Sequence, residues 1–166
     1  MKTLVTYYTQ TGNTKLIAEI IYEEIRDEKE IRAIGELESL EGYDLIFYGF
    51  PIQAMNPAKD AGEFLSARGA GKRIALFMTH GAPEDAERVG PWLDNARDLV
   101  SEVGAELMGA FNCQGEASQE IVDFLMNSDN PEYRRYGQEA SEAKGLPDDA
   151  RLERARSFAR EVIARF

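Results

Sequence analysis

Leu4-Val-Thr-Tyr-Tyr8 runs directly into Thr9-Gln-Thr-Gly-Asn-Thr14, and an amphipathic helix pattern opens near Asn13. The first run predicts a strand. Beyond it, Ile17, Ile20, Ile21 and Ile25 recur at helical spacing and give one apolar face between Thr14 and Arg26. A strand that turns tightly into a helix leaves the first backbone N–H groups without intrahelical acceptors, and the helix dipole adds partial positive charge at the same point. Gly12 lets the backbone approach a ligand closely, while Thr9, Thr11 and Thr14 can add hydroxyl hydrogen bonds. That is the chemistry of a cradle for a phosphate monoester. The Gly-Lys-Ser/Thr ending of the triphosphate-hydrolase loop is absent. The plainer alternative is a helix N-cap in which Thr11 or Asn13 satisfies backbone donors and nothing else binds.

Outward from this stretch, strand and helix patterns alternate. Glu30 to Ile34 reads as a short second strand, and Asp44-Leu-Ile-Phe-Tyr-Gly-Phe50 as a central strand covered on both faces. A helix follows from about Ala58 to Ala67, then a fourth strand at Arg73-Ile-Ala-Leu-Phe-Met-Thr79. Ala86, Val89, Leu93, Ala96, Val100 and Val103 mark the next helix, Glu106 to Phe111 the fifth strand, and Leu152 to Phe166 the last helix, with Pro147-Asp-Asp149 as its start signal. This pattern specifies an α/β fold: a doubly wound five-stranded parallel sheet, order 2-1-3-4-5, with helices on both faces. Ligands of such sheets bind outside the carboxyl ends of the strands where the order reverses, here between strands one and three. The threonine loop, Pro51-Ile-Gln-Ala-Met-Asn56 and Thr79-His-Gly-Ala-Pro83 all reach that crevice.

The threonine loop resembles the FMN phosphate loop of flavodoxins, with Thr9, Thr11, Gly12 and Thr14 on that family's Ser/Thr-x-Thr-Gly-x-Thr pattern. The chain is most similar to a short flavodoxin-like subgroup that pairs a Gly-Phe segment after the third strand with Phe-x-Cys-Gln-Gly after the fifth. Those segments are Gly49-Phe50 and Phe111-Asn-Cys-Gln-Gly115 here. The resemblance implies an FMN-binding electron-transfer protein. Thr9, Gln10, Thr11, Gly12, Asn13 and Thr14 would hold the phosphate. Pro51, Ile52, Gln53, Ala54, Met55 and Asn56 would line the ring edge; Thr79, His80, Gly81 and Ala82 would hold the pyrimidine end; Asn112, Cys113, Gln114 and Gly115 would close the crevice. The aromatic sandwich and flipping glycine of the long-studied flavodoxins have no counterpart, since neither ring loop holds Trp or Tyr and Pro51 to Pro57 holds no glycine. Met55, His80 and Pro83 are the stacking side chains that remain. Two other classes stay open on this reading: an NAD(P)H-dependent flavin or quinone reductase, and a flavin-free interaction module on the same fold.

The 166 residues suit a single domain, and 43% hydrophobic content is that of a globular protein. A net charge of −11 disfavours nucleic acid and anionic membrane surfaces and favours basic partners, here soluble redox proteins or one dedicated reductase. Acidity also keeps a protein soluble, which is the blander account. Glu84, Asp85, Glu87 and Glu116 are the acids expected near the crevice. A single cysteine, no metal-ligand spacing and no long apolar run lead to the expectation of a cytoplasmic, metal-free protein. The lone histidine, His80, reads either as a flavin contact or as a loop residue facing water. Cys113 reads either as a redox thiol or as an inert buried one, and Trp92 as core or ring wall. Asn127 to Ala150, with Tyr133-Arg-Arg-Tyr136, reads as a polar excursion that is solvated or covers the flavin edge.

Overall fold

The computed structural model describes residues 1–166. Five strands form the main sheet: β1 (Lys2–Tyr7), β2 (Glu28–Ala33), β3 (Leu45–Gln53), β5 (Arg73–His80) and β6 (Glu106–Gln114), with the two-residue β4 (Asn56–Pro57) folded back antiparallel on β3. The order is β2-β1-β3-β5-β6 and every main pairing is parallel. Numbering the five parallel strands alone, this is the expected 2-1-3-4-5.

Alternation along the central strands builds two cores. Leu4, Ile46, Tyr48, Phe50, Leu76 and Met78 face one side, where α2 (Lys59–Arg68) and α3 (Val89–Glu102) cover them with Ala61, Leu65, Leu93, Ala96 and Val100. Val5, Phe47, Ala75 and Phe77 face the other, against Ile17 and Ile21 of α1 (Asn13–Glu24) and Ala155, Ala159 and Val162 of α6 (Asp149–Ile163). Because side chains alternate with a period of two, a strand buried on both faces must be apolar throughout. Leu45 to Phe50 is buried along its whole length, as its composition requires.

Helix ends follow local chemistry. Asp148 caps α6 by accepting from the Arg151 amide, Asn130 caps α5 (Pro131–Glu142) by accepting from Glu132, and Ser118 caps α4 (Gln119–Met126) by accepting from Ile121. The segment expected as a polar excursion therefore carries a three-turn helix. Its register is held by Gly137, where a Cβ would come within 2.9 Å of the Met126 backbone nitrogen, so α4 and α5 approach closely there. Arg88 anchors α5 to the rest of the domain, pairing with Glu139 and lying 4.0 Å from the Tyr136 ring centroid. No helix is long and apolar enough to cross a membrane.

Candidate cofactor site

Helix α1 shares with α2 and α3 a start that no side chain caps, and differs from them in opening on a left-handed glycine. Its N-cap is Gly12, in the left-handed region at φ 96°, and no side chain caps it. The Leu16 amide is the first to bond back, to the Gly12 carbonyl. The amides of Asn13, Thr14 and Lys15 have no hydrogen-bond acceptor, and the first turn holds no acid. Nothing lies within 4 Å of where a Gly12 Cβ would stand, so no neighbouring side chain packs over the loop at Gly12. An unoffset positive helix end suits an anion, and a phosphate monoester fits it.

Each neighbouring strand end is tied to this loop by a side chain. Gln53 donates to the Gln10 side-chain oxygen at 2.6 Å, and Asn13 donates to the Glu116 carbonyl at 2.8 Å. The Thr14 and Thr79 hydroxyls are 2.9 Å apart. Within the loop the Gly12 amide donates to Thr9 Oγ1 at 3.0 Å. Gly115 makes room for the Asn13 side chain, because a Cβ there would lie 2.5 Å from Asn13 Nδ2. The other three predicted segments thus all meet the threonine loop: Pro51 to Asn56 through Gln53, Thr79 to Ala82 through Thr79, and Asn112 to Gly115 through Gly115 packed against Asn13, with Glu116 just beyond it accepting from Asn13.

The ring-edge segment is more ordered than the sequence reading implies. Strand β3 continues through Pro51, Ile52 and Gln53, and Ala54-Met55 form a two-residue turn into β4 with φ values of 46° and 69°. Non-glycine residues reach the left-handed region only where surrounding contacts hold them. Those contacts are side-chain amides: Asn56 donates to the Ala54 carbonyl at 3.1 Å, while Asn95 of α3 donates to the Met55 carbonyl at 3.2 Å and to Asn56 Oδ1 at 3.3 Å. Met55 is 60% exposed at the tip. Asn95 carries no signal in the sequence, since its role depends on packing α3 beside a hairpin 40 residues earlier.

His80 is not the solvent-facing loop residue of the second reading. It is the last residue of β5 and is buried, with Nδ1 3.0 Å from the Ala82 carbonyl and Nε2 3.0 Å from Asn112 Oδ1, so the neutral ring that burial favours needs the Asn112 amide turned about. A carbonyl only accepts, so Nδ1 carries the proton; a neutral ring is then satisfied when Asn112 turns its NH2 toward Nε2. Burial pushes the imidazole pKa below its ordinary 6.5, against the pull of these hydrogen bonds. The folded value lies below the unfolded one, so His80's contribution to stability is complete above about pH 6.5 and is lost as pH falls through the lower folded value. An NMR titration of this single histidine should give a midpoint below 6.5; a midpoint at or above that value would contradict the neutral, buried ring. Trp92 stands half-buried with its ring edge-on to His80 at 6.3 Å, forming the wall behind it.

Cys113 is fully buried in the core between the sheet, α1 and α6, and burial pushes its thiol up to about 12. Its place in the core and this raised pKa favour the inert cysteine over the redox thiol. Iodoacetamide at pH 8 should leave the native protein unlabelled and modify it fully in denaturant; rapid native labelling would contradict this. Asn112 and Gln114 face their neighbours: Gln114 Nε2 donates to the Gly81 carbonyl at 3.0 Å.

Two of the four acids expected to orient a partner are occupied internally. Glu84 accepts from Arg151 and Arg154, each at 2.7 Å, and from the Gln114 amide at 3.0 Å. Burial would raise its carboxyl pKa, yet the two arginines and this amide hold it below the ordinary range. Glu116 accepts from the Gly145 amide at 2.9 Å. Asp85 and Glu87 are exposed, as is Glu116 itself despite that bond.

A family model described as a flavodoxin domain matches residues 4–160. The flavodoxin-like domain-containing protein BilS of Clostridioides difficile is 30% identical over 172 residues, covering 98% of this chain and 97% of that protein. Flavodoxin 1 of Salmonella typhimurium is 30% identical over 126 residues, 69% of this chain and 72% of its own. Among solved structures, oxidised Flavodoxin 2 from Bacillus cereus shares the fold over 100% of both chains, with a TM-score of 0.68 at 19% identity. With its strand order and a family match running almost from end to end, this chain belongs to the flavodoxin family.

Proposed function

We propose that this protein binds FMN and carries electrons between soluble redox proteins in the cytoplasm. The observation that supports this most is the uncapped start of α1, where three free amides follow a left-handed Gly12 that no side chain covers, with Thr11 exposed beside them. Bound FMN would supply the redox chemistry. The chain's own part is orientation. Gln10, Asn13 and Thr14 hold the loop to three strands before any ligand arrives, so little ordering entropy is lost on binding. The hairpin tip at Ala54, Met55 and Asn56 offers backbone groups and an exposed thioether to the ring edge. His80, neutral and internally bonded, brings no positive charge to a reduced ring.

Partner choice then falls to the surface field. A net charge of −11, with Asp85 and Glu87 exposed after β5, favours docking of basic partners, and salt should slow it. A carrier differs from a stand-alone reductase in how it meets a nicotinamide. FMN-loaded protein mixed with NADPH in stopped flow should stay oxidised until a reductase is added. Rapid bleaching by NADPH alone would make it an enzyme in its own right.

A further inference from the structure

The Thr14 and Thr79 hydroxyls join the first turn of α1 to the carboxyl end of β5, 65 positions apart in sequence, and both residues are almost wholly buried, at 1% and 2% exposure. Two hydroxyls hold two protons, and the bond between them uses one. Neither oxygen has another hydrogen-bond partner. One buried O–H is therefore left without an acceptor; the buried Thr3 and Thr6 hydroxyls of β1 also lack partners, and what sets this pair apart is its place in the same turn as the free amides at the start of α1.

The two ways of arranging the protons are not equivalent. When Thr14 donates, the spare proton sits on Thr79 at the end of the strand. When Thr79 donates, the spare proton sits on Thr14, in the same turn as the free amides of Asn13, Thr14 and Lys15. An anion at the helix start selects the second arrangement, and the bond received from Thr79 strengthens the bond that Thr14 gives.

Resting on the flavin-phosphate reading above, we propose that Thr79 is a positioning residue for the phosphate. It donates to Thr14 and leaves the Thr14 hydroxyl to donate to the anion. This moves Thr79 from the pyrimidine end, where the family resemblance puts it, to the phosphate end of the site.

The test is selectivity rather than affinity alone. Thr79→Val, which keeps shape and removes the hydroxyl, should raise the Kd for FMN about three- to tenfold, the range of one hydrogen bond, while the Kd for riboflavin stays within about twofold. Thr79→Ser should restore FMN binding. In a Thr14→Val background, adding Thr79→Val should cost FMN nothing further, because the relay is already cut. Equal weakening of FMN and riboflavin by Thr79→Val would overturn the proposal, as would unchanged FMN binding. Should the valine variant not fold, Thr79→Ala against Thr79→Ser makes the same comparison. A wild-type protein that does not prefer FMN to riboflavin would instead sink the flavin-phosphate reading itself, and the Thr79 role with it.

Discussion

Gly49→Ala should destabilise the fold by about 3 kcal/mol, the upper part of the range for overpacked cores. A Cβ at Gly49 would stand 1.9 Å from Phe77 Cε2, 2.1 Å from Cζ and 2.5 Å from Cδ2. Phe77 is on β5, directly paired with Gly49, and is fully buried, so its ring has no solvent to turn into. Moving it disturbs the core beneath α1 and α6, of which it is part. Gly62→Ala is the matched control. Its Cβ would meet only Leu99 Cδ2, at an ordinary 3.9 Å, within α2, and replacing a helical glycine there should be neutral or gain up to about 1 kcal/mol. Urea midpoints of the two variants against wild type decide the matter. A Gly49→Ala loss no larger than that of an average surface substitution would show that Phe77 does not pack where it is placed.

Thr11→Ala combined with Thr14→Ala should weaken FMN binding by roughly 2–4 kcal/mol, taking each hydroxyl as a hydrogen bond to a charged acceptor. That is about 30- to 900-fold in Kd. The two positions act from different places. Thr11 is exposed on the loop, whereas Thr14 is buried and braced by Thr79. Thr11→Ala alone therefore reports the direct contact with least risk to the fold, and Thr14→Ala adds loss of the relay. Riboflavin, which has no phosphate, should bind the double variant much as it binds wild type. An unchanged FMN Kd in the double variant would remove the hydroxyls from the phosphate site.

What could be read from the sequence was local or periodic. Leu4 to Tyr8 followed by a glycine-bearing threonine turn and the isoleucines of α1 is a continuous signal, and β1, Gly12 at positive φ and α1 lie where it puts them. The apolar run at Leu45 to Phe50 is unambiguous for a strand buried on both faces. The hairpin after β3 was not legible, because its turn uses Ala54 and Met55 at positive φ where glycine or asparagine is the usual sign. The ends of β3 and β6 run past the expected boundaries because pairing with neighbours, not residue type, carries Pro51–Gln53 and Asn112–Gln114 onward. Helix α5 is polar enough to resemble a loop, and its placement depends on Arg88 reaching Glu139 and Tyr136 from far along the chain. Likewise Glu84 looked like a free surface acid until Arg151 and Arg154, on α6, closed on it.

The central claim is that the start of α1 is built for the phosphate of FMN, and a fluorescence titration of the flavin-free protein with FMN and, separately, riboflavin addresses it most directly. The account predicts tight quenching of FMN and much weaker binding of riboflavin. Equal affinity for the two, or no binding of either, would contradict it and leave the free amides of Asn13, Thr14 and Lys15 to some other anion.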